Sequence, residues 1–222
     1  MTGIMSFYRT SIGKKTVMAV TGIIGVGFVI GHMIGNLQIY LGAEALNRYA
    51  RFLHGLGELL WVARIVLLTA VLLHIAAAVQ LTIENRKARP AQYVKQKHQE
   101  STFASRTMRY GGVILLLFII YHLLHFTIGG APLGVTLDKE NVYNNVVYGF
   151  QNPIVSAFYI LAMASLGFHL MHGAWSMFQT LGFNNRRFNR MLRNVAMVIG
   201  IALFVGNISI PISVLLGFLK PV

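Results

Sequence analysis

Apolar residues gather along this chain in five predominantly hydrophobic stretches, at 17–40, 59–83, 110–128, 154–178 and 195–218, each bounded by polar or basic residues. A helix needs roughly 20 apolar residues to cross the hydrocarbon layer, so the pattern predicts an all-α integral membrane bundle of five spans. Residues 1–16 carry only a short apolar run before Lys14 and Lys15. No small-residue cleavage site follows the first long stretch, so that stretch is expected to stay as an uncleaved membrane helix. The composition agrees: 55% of the 222 residues are hydrophobic and 11% charged, too little polar surface for a soluble domain of this size.

The formal charge of +13 sorts by side of the membrane. Three Lys and Arg precede the first span, seven lie between the second and third, and four lie between the fourth and fifth. The opposite side has Arg48, Arg51, Lys139 and Lys220, and Arg64 lies inside the second span. The excess of positive charge predicts a cytoplasmic N-terminus and, after five crossings, an external C-terminus. Dispersed over three juxtamembrane loops, these charges suit anionic lipid headgroups better than nucleic acid, and they are compatible with a protein partner on the cytoplasmic face.

The polar linker 84–109, with Pro90, is expected to form a loop or a short surface helix. It separates two similar halves. Histidines at 32 and 74 in the first half are followed at offsets of 90 and 95 residues by His122 and His169 in the second, a loose two-helix repeat. The external segment 130–152, containing Pro132 and Gly134, should be an irregular loop or a short interfacial element. Gly200, Gly206, Asn207 and Pro211 predict a fifth helix that kinks and packs closely.

The chain has no cysteine, which excludes disulfides, thiolate-held iron–sulfur clusters and covalent c-type haem. Six of its eight histidines, however, lie within the predicted spans, where an imidazole is costly unless it finds a partner. His32 is 8 residues before Tyr40 and His122 is 7 before Gly129, about 11 Å deep at 1.5 Å per residue. His74 is 15 residues after Leu59 and His169 is 16 after Pro153, about 23 Å deep by the same arithmetic. Four helices thus supply two layers of two histidines. Electron-transferring haem wants two strong axial ligands from opposite faces, and facing helices can provide them.

Gly27, Gly31 and Gly35 beside His32 would leave room for a flat macrocycle, or would serve plain helix packing. His125 and His172 each follow a candidate ligand by one turn, so within each doublet either member can ligate while the other meets a propionate, a quinone or a neighbouring helix. Met33 and Met171 read as apolar packing. His98 reads as a solvated linker residue. Arg51, His54 and Glu58 are expected together at the external start of the second helix, where they would cap it or handle a quinone and its protons. Arg64, taken as buried two turns further in, would need an anion such as a haem propionate.

The segments GHMIGN around His32, LLHIAAAVQL around His74, GGVILLLFIIYHLLHFTIG around His122 and GFHLMHGAWSMFQTLGF around His169 resemble the cytochrome b anchor of five-helix, dihaem succinate dehydrogenases and fumarate reductases. The resemblance covers nearly the whole chain and rests on the order and spacing of these pieces. A family glycine ten residues before the third ligand corresponds to Gly112, which implies His122 in place of His125. A pair twelve residues after the fourth ligand corresponds to Leu181 and Gly182, which implies His169 in place of His172.

The resemblance further implies an outer haem b on His32 and His122, and an inner one on His74 and His169. It implies a cytoplasmic flavoprotein with covalent FAD, an iron–sulfur subunit docked on the basic loops, and menaquinone as the electron partner. An acidic quinone-site residue would correspond to Glu58.

The expectation is therefore a single haem-binding transmembrane domain over 1–222 in a prokaryotic cytoplasmic membrane. It would be the electron-transfer anchor of a succinate:quinone oxidoreductase, with no dicarboxylate chemistry of its own. A higher oligomer of the complex stays open. The alternatives are the cytochrome b anchor of another quinone-linked dehydrogenase, and a haemless transporter or scaffold.

Overall fold

The structure is a computed structural model that describes residues 3–88, 102–183 and 185–222. In chain order it comprises α1 (Gly3–Arg9), α2 (Ser11–Asn36) running into a 3₁₀ segment (Leu37–Leu41), α3 (Ala43–Gly55), α4 (Glu58–Lys87), α5 (Phe103–Leu123) running into a π-helical turn (Leu124–Ile128), α6 (Val142–Gln151), α7 (Pro153–Thr180) and α8 (Asn189–Leu215). Five helical stretches, Ser11–Leu41, Glu58–Lys87, Phe103–Ile128, Pro153–Thr180 and Asn189–Leu215, are long and apolar enough to cross a membrane. Half of the linker 84–109, with His98, lies outside the described residues.

The helices outrun the hydrophobic stretches at their basic ends. Hydropathy marks the hydrocarbon boundary, whereas backbone hydrogen bonding continues until a residue interrupts it. Thr10 caps α2 by accepting from the Gly13 N–H at 2.9 Å, and Thr102 caps α5 by accepting from the Ser105 N–H at 3.2 Å. Asn152 caps α7, with Pro153 at the first helical position, where a missing N–H costs nothing. At the other end of the chain α8 stops short of residue 218. Gly217 takes φ of 75°, and the Phe218 N–H returns to the Ser213 carbonyl at 2.9 Å, a glycine-terminated cap. Pro211 lies within α8 and is buried.

α7 is the central helix, packed against α8, α5 and α2, while α4 packs against α2. The α7 and α8 backbones meet closely: a Cβ on Gly200 would be 2.7 Å from the Gly167 carbonyl oxygen and from Met171 Cγ. Along α4 only Ala70, Ala77 and Leu81 are buried; most of its other apolar side chains face outward.

Two short helices stand at the membrane side where α2 ends and α4 begins. α3 carries its apolar residues on one face and buries Leu46, and α6 buries Tyr143, Val147 and Phe150 in the same cluster. Asn47 joins them, accepting from the Tyr143 N–H at 2.9 Å and donating to Asn141 Oδ1 at 3.3 Å. The segment 130–152, expected as an irregular loop or a short interfacial element, thus contains a short capped helix.

On the opposite side Lys14, read from sequence as a juxtamembrane loop cation, is 5% exposed on α2. Its ammonium donates to Glu84 Oε1 at 2.6 Å and to the Arg9 carbonyl at 3.1 Å, tying the first span to the end of α4. Glu84→Gln would leave a buried ammonium without its counter-charge. Because the Glu84 side chain is 45% exposed, the expected loss is about 1–3 kcal/mol, smaller than for a fully buried pair. A lower thermal midpoint of the detergent-solubilised protein would show it; an unchanged midpoint would refute it.

Candidate haem-ligand pairs

α2, α4, α5 and α7 each bring one histidine to a partner on another helix. His32 of α2 and His122 of α5 have ring centroids 5.7 Å apart with planes at 88°. His74 of α4 and His169 of α7 are 6.3 Å apart with planes at 52°. These are the residues that share a layer in the depth count.

The separations can be compared with the need of a six-coordinate iron. A metal–imidazole bond of about 2 Å, plus about 1.1 Å from nitrogen to ring centre on each side, gives about 6 Å between the centroids of two axial imidazoles. Both pairs meet that requirement. Among the described residues two buried imidazole nitrogens have no hydrogen-bond partner, His169 Nδ1 and His125 Nε2. On α2, a Cβ built on Gly27 or Gly31 would touch no heavy atom within 4 Å, so smooth backbone runs past His32. Gly35 differs, since its Cβ would strike the Tyr49 ring at 2.5 Å. The glycine stripe therefore serves helix packing only at its last member, and the residues around His32 suit a flat group alongside.

The doublets separate by position. His125 is 1% exposed in the π-helical turn, and its ring packs on Phe126 at 4.0 Å and on Tyr121 at 5.4 Å. His172 packs on Trp175 at 6.0 Å. Trp175 donates to Asn189 Oδ1 at 2.8 Å and lies under the Arg193 guanidinium at 4.3 Å. Met33 lies against Gly206, and Met171 against Gly200, both as packing.

Two expectations need correction. Arg51 and His54 belong to α3 and not to the start of the second span, which begins at Glu58 after Gly57 turns the chain at φ of 54°. There Arg51 is held by Glu44 at 2.9 Å, while His54 and Glu58 are exposed at the corner. Arg64 is exposed, not buried, and stacks over Trp61 at 5.0 Å; α4 lies at the bundle edge, so its outer face has no neighbouring helix to enclose a guanidinium.

Sequence reasoning passed over two hydroxyls. Thr21 Oγ1 lies 3.1 Å from His74 Nδ1, and the Tyr159 hydroxyl lies 3.2 Å from His122 Nδ1 and 3.0 Å from His125 Nδ1. The signal available was that a hydroxyl at membrane depth needs a partner.

Five spans with two cross-helix histidine pairs define the class, a multi-pass helical membrane protein. The chain belongs to the succinate dehydrogenase/fumarate reductase transmembrane subunit family, which matches residues 82–207. It is similar to the succinate dehydrogenase cytochrome b558 subunit of Bacillus subtilis (strain 168), at 26% identity over 205 residues, covering 91% of this chain and 94% of the relative. No solved structure matches. Family membership makes this chain the membrane subunit of an enzyme complex.

Proposed function

We propose that this chain anchors a succinate:quinone oxidoreductase and carries electrons between an iron–sulfur subunit and menaquinone. The observation that carries the reading is the pair of histidine pairs at 5.7 and 6.3 Å, each drawn from two helices. His32 and His122 would hold an outer haem b, and His74 and His169 an inner one. Bound there, the two haems supply one-electron transfer at low potential, since imidazole on both faces favours ferric iron over a His/Met pair.

The residues of the chain do the rest. Its basic ends, with the N-terminus in the cytoplasm, would seat the iron–sulfur and FAD-bearing flavoprotein partners. Arg64, six residues into α4 and so about 9 Å from its start, would offer its exposed guanidinium to a propionate of the outer haem. Glu58 and His54, exposed at the α3–α4 corner, would exchange protons with a quinone on the external side. Arg51, held by Glu44, would shape that corner. His125 and His172 would support the sites without ligating.

Haem stoichiometry and an absorption spectrum on the intact complex test this directly. Two low-spin b haems per chain are expected, along with co-purifying flavoprotein and iron–sulfur subunits. One haem or none overturns the ligand assignment, and a colourless preparation would favour a scaffold. Partners of other masses would point to a different quinone-linked dehydrogenase.

A further inference from the structure

We propose that Thr21 and Tyr159 are positioning residues, each fixing the tautomer and ring orientation of one axial histidine, and that His125 sets the direction of the Tyr159 hydroxyl. The proposal rests on the haem reading above and goes on to say how the ligands are prepared.

A neutral imidazole that offers its Nε2 lone pair to iron must carry its proton on Nδ1, and whatever accepts from that N–H holds the ring. His74 Nδ1 is 3.1 Å from Thr21 Oγ1. The single hydroxyl hydrogen of Thr21 is already directed at the backbone of its own helix, to the Val17 carbonyl at 2.7 Å and the Met18 carbonyl at 3.2 Å. Only the oxygen lone pairs remain for His74, so the imidazole must donate. That leaves its Nε2 as the lone-pair nitrogen.

The outer pair reaches the same end by a longer route. Tyr159, 6% exposed on α7, has one hydroxyl hydrogen and two histidine neighbours, His122 Nδ1 at 3.2 Å and His125 Nδ1 at 3.0 Å. It can donate to one of them and must accept from the other. Ligation through His122 Nε2 requires His122 to donate, so the Tyr159 hydrogen must go to His125 Nδ1. His125 is therefore the acceptor that turns the hydroxyl away from the ligand. This gives the second member of the doublet a task other than ligation.

The local fold is shaped to hold His125 in that role. The π-helical turn Leu124–Ile128 re-aims the chain just after His122, as π-turns often do at functional sites. Gly149 of α6 lies so close that its Cβ would come within 3.1 Å of His125 Cε1, and Gly134 of the loop would come within 3.4 Å of its Cδ2. The ring is pinned on both edges.

Each support also crosses over. Thr21 belongs to the helix that carries His32, and Tyr159 to the helix that carries His169. The helix ligating one haem steadies a ligand of the other.

An imidazole that donates strongly is a more basic ligand and favours ferric iron. Potentiometric titration and low-spin EPR of the intact complex will therefore read the supports. Thr21→Val is expected to raise the inner-haem potential alone, and Tyr159→Phe that of the outer haem alone. In each case the ferric to ferrous ratio at fixed poise should fall about tenfold, which is about 59 mV for one electron, with a shifted EPR signal of that haem. Thr21→Ser, which keeps the hydroxyl, should match the parent complex. His125→Leu should disturb only the outer haem, and His125→Asn, which keeps an acceptor near Nδ1, should restore it. Selective loss of the matching haem would also support the assignment. Unchanged potentials and EPR with both haems bound, or equal shifts of both haems, would overturn it while leaving the haem reading intact. A parent complex without haem would instead sink the haem reading itself.

Discussion

His74→Ala is expected to lower the haem content from two per chain to one, with the surviving haem keeping the spectrum and potential of the outer site. The selectivity follows from the geometry. His74 faces His169 at 6.3 Å, and its other ring nitrogen is already taken by Thr21, so no second group on α4 stands ready to replace it. Losing one strong axial ligand converts a low-spin, six-coordinate iron into a weakly held one. His122→Ala should empty the outer site in the same way, and the comparison with His172→Ala, which should keep both haems, separates ligand from neighbour. Retention of both haems in the His74 variant would remove that residue from the ligand set. Haem extraction as the pyridine haemochrome, normalised to protein, is the decisive measurement.

Gly200→Leu should be the most damaging single change to the bundle itself. Its Cβ would sit 2.7 Å from the Gly167 carbonyl oxygen, a backbone atom of the central helix that cannot swing aside, and the remaining leucine atoms would need still more room. α8 would have to withdraw from α7 over the length of their contact. Overpacking of a tight interface typically costs about 1–3 kcal/mol, and a backbone obstacle puts this case at about 3 kcal/mol or more. Little protein should accumulate in membranes, and what does should melt at a lower temperature. Normal yield and melting would show that the helices are not held this closely.

The five spans were legible because apolar runs of this length have few other uses, and the histidine layers because a helix advances a fixed distance per residue. The same logic explains what was missed. α3 spreads its apolar positions over one face of a polar helix, and α6 is only 10 residues long, so neither produces the continuous hydropathy that marks a span. The burial of Lys14 depends on Glu84, 70 residues away, and the exposure of Arg64 depends on which helices happen to flank α4. Thr21 and Tyr159 escaped notice because a hydroxyl in a hydrophobic run carries no positional signature until its neighbour across the bundle is known. The π-helical turn is likewise invisible in LHFTI, a segment that composition alone assigns to a regular helix.

The pairing of the histidines across the bundle has one more consequence. Each pair takes one ring from the first half of the chain and one from the second: α2 with α5, α4 with α7. Despite the repeat, neither half is a module that can be completed by itself. During synthesis the first two spans enter the membrane with two unmatched rings, and the outer pair closes only when α5 arrives. The inner pair waits for α7. A chain interrupted between the halves would therefore reunite its histidine pairs only if both fragments met again in the same membrane.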